Sequence, residues 1–163
     1  MNLPNPRLTF LLVFLAVIFL LGAAMYLEFA RGLEPCPLCI SQRVMLLGVG
    51  LVSLVAFLHN PATIGRRIYG LLVSLSAMGG LYFAGRQLWL QSLPPDEVPA
   101  CGPGITYMID SFPMADVFKA LLTGDGNCAE IKWTWLGLTI PGWSAVGFAG
   151  IIAFGAWQAF RKR

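Results

Sequence analysis

The amino-acid sequence predicts an all-α membrane protein: a four-helix transmembrane bundle with a short amphipathic helix in the second of two outer loops. Composition is the first observation behind this reading. Of the 163 residues 57% are hydrophobic and only 12% are charged, against about 25% charged in an average soluble domain. Mean hydropathy is +0.72. The second observation is four charge-poor runs, each close to the roughly 20 apolar residues that a helix needs to cross about 30 Å of hydrocarbon. The third is that every acidic residue falls on one side of these runs, while the other side carries basic residues with no acidic ones.

The first helix is expected at about 9–27 (TFLLVFLAVIFLLGAAMYL). Arg7 ahead of it and the small residues Gly22, Ala23 and Ala24 near its end also suit a cleaved signal peptide. Its apolar stretch exceeds the 7–15 residues or so of a signal-peptide core, however, and three further spans follow, so it is read as retained. The second helix is expected at about 40–58, the third at 68–86 and the fourth at 142–160, which makes residues 1–163 a single integral membrane domain. The outer loops are then 28–39 and 87–141.

Orientation follows from lysine and arginine, whose excess marks cytoplasmic loops. Arg7, Arg66, Arg67, Arg161, Lys162 and Arg163 fall on one side with no acidic residue among them. That side is read as the cytoplasm, with both termini in it. All eight acidic residues (Glu28, Glu34, Asp96, Glu97, Asp110, Asp116, Asp125 and Glu130) fall on the other side, with Arg31, Arg43, Arg86, Lys119 and Lys132.

The four cysteines, Cys36, Cys39, Cys101 and Cys128, all fall in the outer loops. Outside a bacterial inner membrane thiols meet oxidising conditions. Two cysteines in each loop suggest two disulfides. Structural stapling explains Cys101 with Cys128 well, since a loop of about 50 residues cannot hold itself together by a core alone. It explains Cys36 with Cys39 poorly, because a bridge closing so short a loop constrains little chain. A CxxC beside a membrane is better suited to being made and broken. A zinc site is disfavoured: 26 residues separate Cys101 from Cys128, and the single histidine, His59, is expected in an exposed loop at the inner end of helix 2.

The prolines of EPCPLCISQR, residues 34–43, refine this. Pro35 and Pro37 favour extended geometry at Glu34 and Cys36 and let helix 2 begin near Pro37. Cys39 then lies in the first helical turn, where unpaired N–H groups favour a thiolate. Arg43 follows one turn deeper on the same face. An arginine at that depth requires a partner, a cavity or an interface, or else snorkels to the headgroups. A thiolate beside a buried cation at lipid depth suits a small lipid-soluble electron acceptor.

Between Cys101 and Cys128, the residues Met114, Val117, Phe118, Leu121 and Leu122 recur at helical spacing, after Pro113 and before Gly124. This predicts the short amphipathic helix, lying on the membrane surface or on top of the bundle. The preceding SLPPDEVPACGPG, residues 92–104, reads as extended and accessible. Trp89, Trp133, Trp135 and Trp143 read as interfacial anchors, and Gly48, Gly50, Gly79 and Gly80 as sites of close helix contact. Neither a phosphate loop nor a nucleotide fingerprint is present, and no nucleic-acid partner is expected.

Taken together, these residues resemble the DsbB family, the bacterial inner-membrane proteins that reoxidise the periplasmic dithiol oxidase DsbA and reduce quinone. The resemblance covers nearly the whole chain. It rests on the PCPLC run followed by Arg43, four spans with both termini inside, Cys101 and Cys128 in a long second loop, and GNCAEIKWTWLGLTIPGW at 126–143. One departure is Gln87, where many relatives have histidine, so the resemblance assigns that position no quinone contact.

The resemblance implies a protein-disulfide oxidoreductase. Its partner would be a DsbA-like periplasmic protein of thioredoxin fold, and its cofactor ubiquinone or menaquinone. The partner's thiolate would attack Cys101. Cys128, released, would attack Cys36 and free Cys39 as a thiolate against the quinone, near Arg43, and Cys36 would then close the Cys36–Cys39 disulfide. Two rival readings remain: a related oxidase dedicated to a different thioredoxin-like partner, and a non-enzymatic membrane scaffold whose disulfides are structural.

Overall fold

The computed structural model describes residues 5–32 and 34–161. Lys162 and Arg163, which contributed to the orientation argument, lie outside the described residues. Four long helices form the bundle: α1 (Pro6–Arg31), α2 (Pro37–His59), α3 (Thr63–Gln91) and α6 (Ile140–Phe160). All four are long and apolar enough to cross a membrane. Between α3 and α6 come α4 (Ile105–Ser111), α5 (Met114–Thr123), a 3₁₀ turn at Gly126–Cys128, and a hairpin of β1 (Thr134–Trp135) and β2 (Leu138–Thr139).

The long helices run further than the charge-poor windows suggest. Helix α1 starts at Pro6, whose missing N–H costs nothing in a first turn, and the Asn5 side chain accepts from the Arg7 amide at 3.1 Å. It ends at Gly32, where φ of 62° suits glycine. Helix α2 starts at Pro37, as the proline spacing predicts, with Cys36 extended at its N-cap. Helix α3 extends five residues beyond its expected window at each end. Its first turns carry Arg66 and Arg67, and Arg86 lies a turn before its end, charges at which a search for charge-poor runs stops.

Helix α3 packs chiefly on α6 and α2, and α1 packs on α2. A core of Phe10, Val17, Val49, Ala56, Val73, Ala77 and Phe148 fills the bundle. Leu12, Leu15, Phe19, Leu51 and Leu75 point outward, as expected of helices whose solvent is lipid. The glycine expectation holds at Gly50, where an added Cβ would come within 2.9 Å of Val17, and at Gly79, where it would meet Met45 at 2.8 Å.

At one end, the fully buried Arg66 bonds the Gln158 carbonyl at 3.2 Å and the Arg161 carbonyl at 2.7 Å, closing off carbonyls in the last turn of α6. Here α1 and α6 also meet, through the Thr9–Gln158 side-chain pair and the edge-on rings of Phe10 and Phe154 at 6.0 Å. His59 is the last residue of α2 rather than part of a loop, and its Nδ1 lies 2.7 Å from the Tyr69 hydroxyl.

The opposite end carries the cysteines. Helix α5 forms over the predicted residues and sits on α2. Val117 is buried beneath it, while Met114, Phe118 and Leu122 stay exposed. Ser41 and Arg86 hold its last turn: the Ser41 hydroxyl donates to the Leu121 carbonyl at 2.6 Å, and Arg86 Nε to the Thr123 carbonyl at 3.3 Å.

Candidate redox site

The docking of α5 sets the site. Past its C-terminus Gly124 adopts φ of 74° against Leu38 and Leu90, and the chain turns back so that Cys128 enters a buried cluster with Cys36, Leu38, Phe83 and Leu90. Cys128 is fully buried. The four cysteines are free thiols, and the sulfurs are not segregated by loop as two separate staples would be. Cys36 Sγ lies 3.0 Å from Cys39 Sγ in its own CxxC and is also hydrogen-bonded to Cys128 of the other loop.

That cross-loop bond polarises the pair. Donating to Cys128, and secondly to Cys39, keeps the Cys36 thiol well above the usual thiol range. Accepting from Cys36 holds Cys128 below that range despite burial. The geometry thus supplies one sulfur biased toward thiolate in contact with another.

Cys101 is not brought into this cluster. It is exposed in the irregular segment 99–104, whereas residues 92–98, expected to be extended, form turns closed by local backbone bonds such as that from the Glu97 amide to the Pro94 carbonyl at 2.9 Å. Its segment is nevertheless tied to the Cys128 segment, since the Gly126 amide donates to the Ala100 carbonyl at 3.2 Å and Asn127 Nδ2 to the Gly102 carbonyl at 3.0 Å. Asp125 braces the same turn by accepting from the Asn127 amide at 3.1 Å.

Cys39 and Arg43 both line a cavity of about 340 Å³. Leu20, Ala24 and Leu27 of α1 and Gly147, Phe148 and Ile151 of α6 give it mostly apolar walls, and its polar groups gather at the cysteine end. Arg43 is not simply snorkelling. Its guanidinium pairs with Glu28 of α1, and Nη2 lies 3.4 Å from the Ala24 carbonyl. A mostly apolar cavity with hydrogen-bond donors at one end fits a lipid-soluble ring carrying carbonyl oxygens.

Two members of the site, Glu28 and Gln42, were not singled out from sequence, and Gln87 was noted there only as a departure from the family pattern. Glu28 reads there as one of several outer acids. Gln42 sits unremarked between Ser41 and Arg43, yet its Nε2 donates to Gln87 Oε1 at 2.8 Å. Gln87 in turn places Nε2 3.4 Å from both Cys36 and Cys39 sulfurs. The available signal was polar side chains at membrane depth, which are expensive unless they face a partner. Two of the tryptophans read as anchors, Trp133 and Trp143, also line the cavity, and Trp143 Nε1 bonds the Trp135 carbonyl at 3.1 Å.

The chain matches the family model described as "Disulfide bond formation protein DsbB" over residues 6–158. The chain belongs to the DsbB family. Among similar curated proteins, the "Disulfide bond formation protein B" of Saccharophagus degradans is 51% identical over 161 residues, covering 99% of this chain and 97% of that protein. Those of Methylococcus capsulatus and Marinobacter nauticus are 52% and 53% identical, over 97% and 96% of this chain and 96% and 93% of theirs. As a DsbB-family chain with four membrane-length helices, it is a multi-pass membrane protein of disulfide bond formation, an oxidoreductase by class.

Proposed function

We propose that the protein reoxidises a DsbA-like periplasmic dithiol protein and passes the electrons to membrane quinone. It would sit in the bacterial inner membrane with both termini cytoplasmic and its cysteine end in the periplasm. The observation that carries this reading is the position of Cys36: one sulfur touching both Cys39, at the apolar cavity, and Cys128, tethered to the exposed Cys101 segment.

In the oxidised protein, with Cys36–Cys39 and Cys101–Cys128 disulfides, a partner thiolate attacks Cys101 Sγ and Cys128 departs as thiolate. Cys128 attacks Cys36 Sγ, which breaks the Cys36–Cys39 bond and releases Cys39 as thiolate at the cavity. The partner's second thiol then resolves the mixed disulfide, leaving the partner oxidised and Cys101 reduced. Cys101 displaces Cys36 from Cys128 and restores the outer disulfide. Cys36 closes on Cys39, and two electrons and two protons leave the pair. A bound quinone supplies the two-electron, two-proton sink. Arg43 and Gln87 offer donors at the polar end of the cavity, and the walls contributed by α1 and α6 keep water from the sulfurs. DsbA is itself strongly oxidising, at roughly −120 mV, so only a more oxidising acceptor recharges it.

The test is oxidation of reduced DsbA by the purified protein, supplied with ubiquinone or menaquinone in turn. Turnover with neither quinone would overturn the proposal, and turnover with one would name the acceptor. Orientation is tested separately. An impermeant thiol reagent applied to reduced intact cells should reach Cys101, and labelling solely from the cytoplasmic side would reverse the topology.

A further inference from the structure

We infer that Gln87 is the donor that holds Cys39 in its reactive thiolate form, and that Gln42 is a positioning residue that turns the Gln87 carboxamide the right way round. The inference deepens the proposed function, because it takes Cys39 as the sulfur that faces the acceptor.

Gln42 and Gln87 are 6% and 4% exposed. Two primary amides buried at the depth of membrane helices are costly unless each finds a partner. Their mutual bond, Gln42 Nε2 to Gln87 Oε1 at 2.8 Å, joins α2 to α3. It also fixes orientation. The Gln87 oxygen, held by Gln42, is the more distant of the two amide atoms from Cys39 at 3.6 Å, and the nitrogen is the nearer, 3.4 Å from Cys39 and 3.4 Å from Cys36. A thiolate has no proton to give and can only accept, so an N–H aimed at it favours that form, more strongly in a site of low dielectric.

The charged and titratable groups around Cys39 leave room for this role. Arg43, on the same helix, is engaged by the Glu28 carboxylate of α1, which offsets its positive charge. Cys36 bonds both Cys39 and Cys128. Beside the Cys36 thiol, which donates to Cys39 at 3.0 Å but is shared with Cys128, Gln87 is the second neutral donor in direct reach, and an amide keeps its donor at every physiological pH. If the pair were merely a clasp between helices, removing it would loosen α2 from α3 without changing how readily Cys39 ionises.

The test uses the full-length protein in detergent with Cys36, Cys101 and Cys128 each replaced by serine, so that Cys39 is the single thiol. Its alkylation by iodoacetamide is timed at pH 7 and at pH 10. Gln87→Leu and the length-matched Gln87→Met should slow alkylation at pH 7 roughly ten-fold, the low end for a hydrogen bond to a charged group, with little change at pH 10, where ionisation no longer limits. Gln42→Met should slow the pH 7 rate by a smaller factor, about three-fold, by releasing the amide. If Gln87→Leu does not fold, Gln87→Met and Gln42→Met carry the test. Unchanged pH 7 rates, or equal slowing at both pH values through lost access, would overturn the inference. Neither quinone nor dithiol partner is present, so this result stands apart from the turnover assay that tests the proposed function.

Discussion

The Ser41 hydroxyl lies 2.6 Å from the Leu121 carbonyl, so the helix that begins the CxxC segment directly holds the helix that delivers Cys128. Ser41→Ala leaves that partly buried carbonyl without its donor, at a cost of about 1 kcal/mol or more. The expected result is slower formation of the Cys36–Cys128 bond, roughly five-fold, in rapid-quench analysis. The mixed disulfide at Cys101 should form at the normal rate. Equal slowing of both steps would show that the contact serves general stability instead.

Arg43 and Glu28 form a pair whose side chains are 22% and 25% exposed. If Arg43 donates to an acceptor oxygen, Arg43→Ala removes a charge-assisted bond of roughly 1.5–3 kcal/mol, and KM for quinone should rise about 10- to 150-fold. Arg43→Lys should recover part of this, since a point charge lacks the planar fork. Glu28→Gln should change KM only a few-fold, in keeping with the modest worth of a partly exposed pair. Normal KM in well-folded Arg43→Ala protein would leave the arginine as an anchor of α2 to α1.

Cys101 is exposed and Cys128 fully buried, so access and reactivity are divided between them. In the reduced protein a bulky maleimide should modify Cys101 at least about ten-fold faster than Cys128, although Cys128 is the one held toward thiolate by its bond from Cys36. Partner trapped in single-cysteine variants should be joined to Cys101. Peptide mapping that finds it joined to Cys128 throughout would exchange their roles.

Gly124 combines φ of 74° with ψ of 173°, a region that is essentially glycine's alone. An added Cβ would also fall 2.7 Å from Leu38 Cδ1. Gly124→Ala should therefore cost about 1–3 kcal/mol in docking α5. Limited proteolysis should then cut faster between Cys101 and Cys128, while the four long helices remain protected.

The fold was legible where single residues dominate the physics. Pro37 set the start of α2, and Gly124 the end of α5, because proline and glycine act locally. The hairpin at 134–139 was missed because its two-residue turn places Leu136 and Gly137 at φ of 51° and 79°; leucine there gives none of the usual signal of such turns. Helix α4 is seven residues long and lacks a clear apolar stripe. At the site, the CxxC and Arg43 could be read from spacing along one helix. Glu28, Gln42 and Gln87 could not, because their meaning lies in contacts between α1, α2 and α3 that residue spacing does not encode.

Helices α1 and α6 touch at the Thr9–Gln158 end, and the cavity beside Cys39 occupies the gap between them nearer the cysteines. A ligand dissolved among lipid tails reaches such a gap sideways, without crossing water. Its occupancy then follows its mole fraction in the surrounding amphiphile, not its concentration in the tube. Adding detergent at fixed total ligand should weaken apparent binding by surface dilution, and detergent tails are themselves competitors for the same walls. A KM expressed per litre therefore describes the micelle as much as the protein, and values from different preparations become comparable once they are expressed per mole of lipid or detergent.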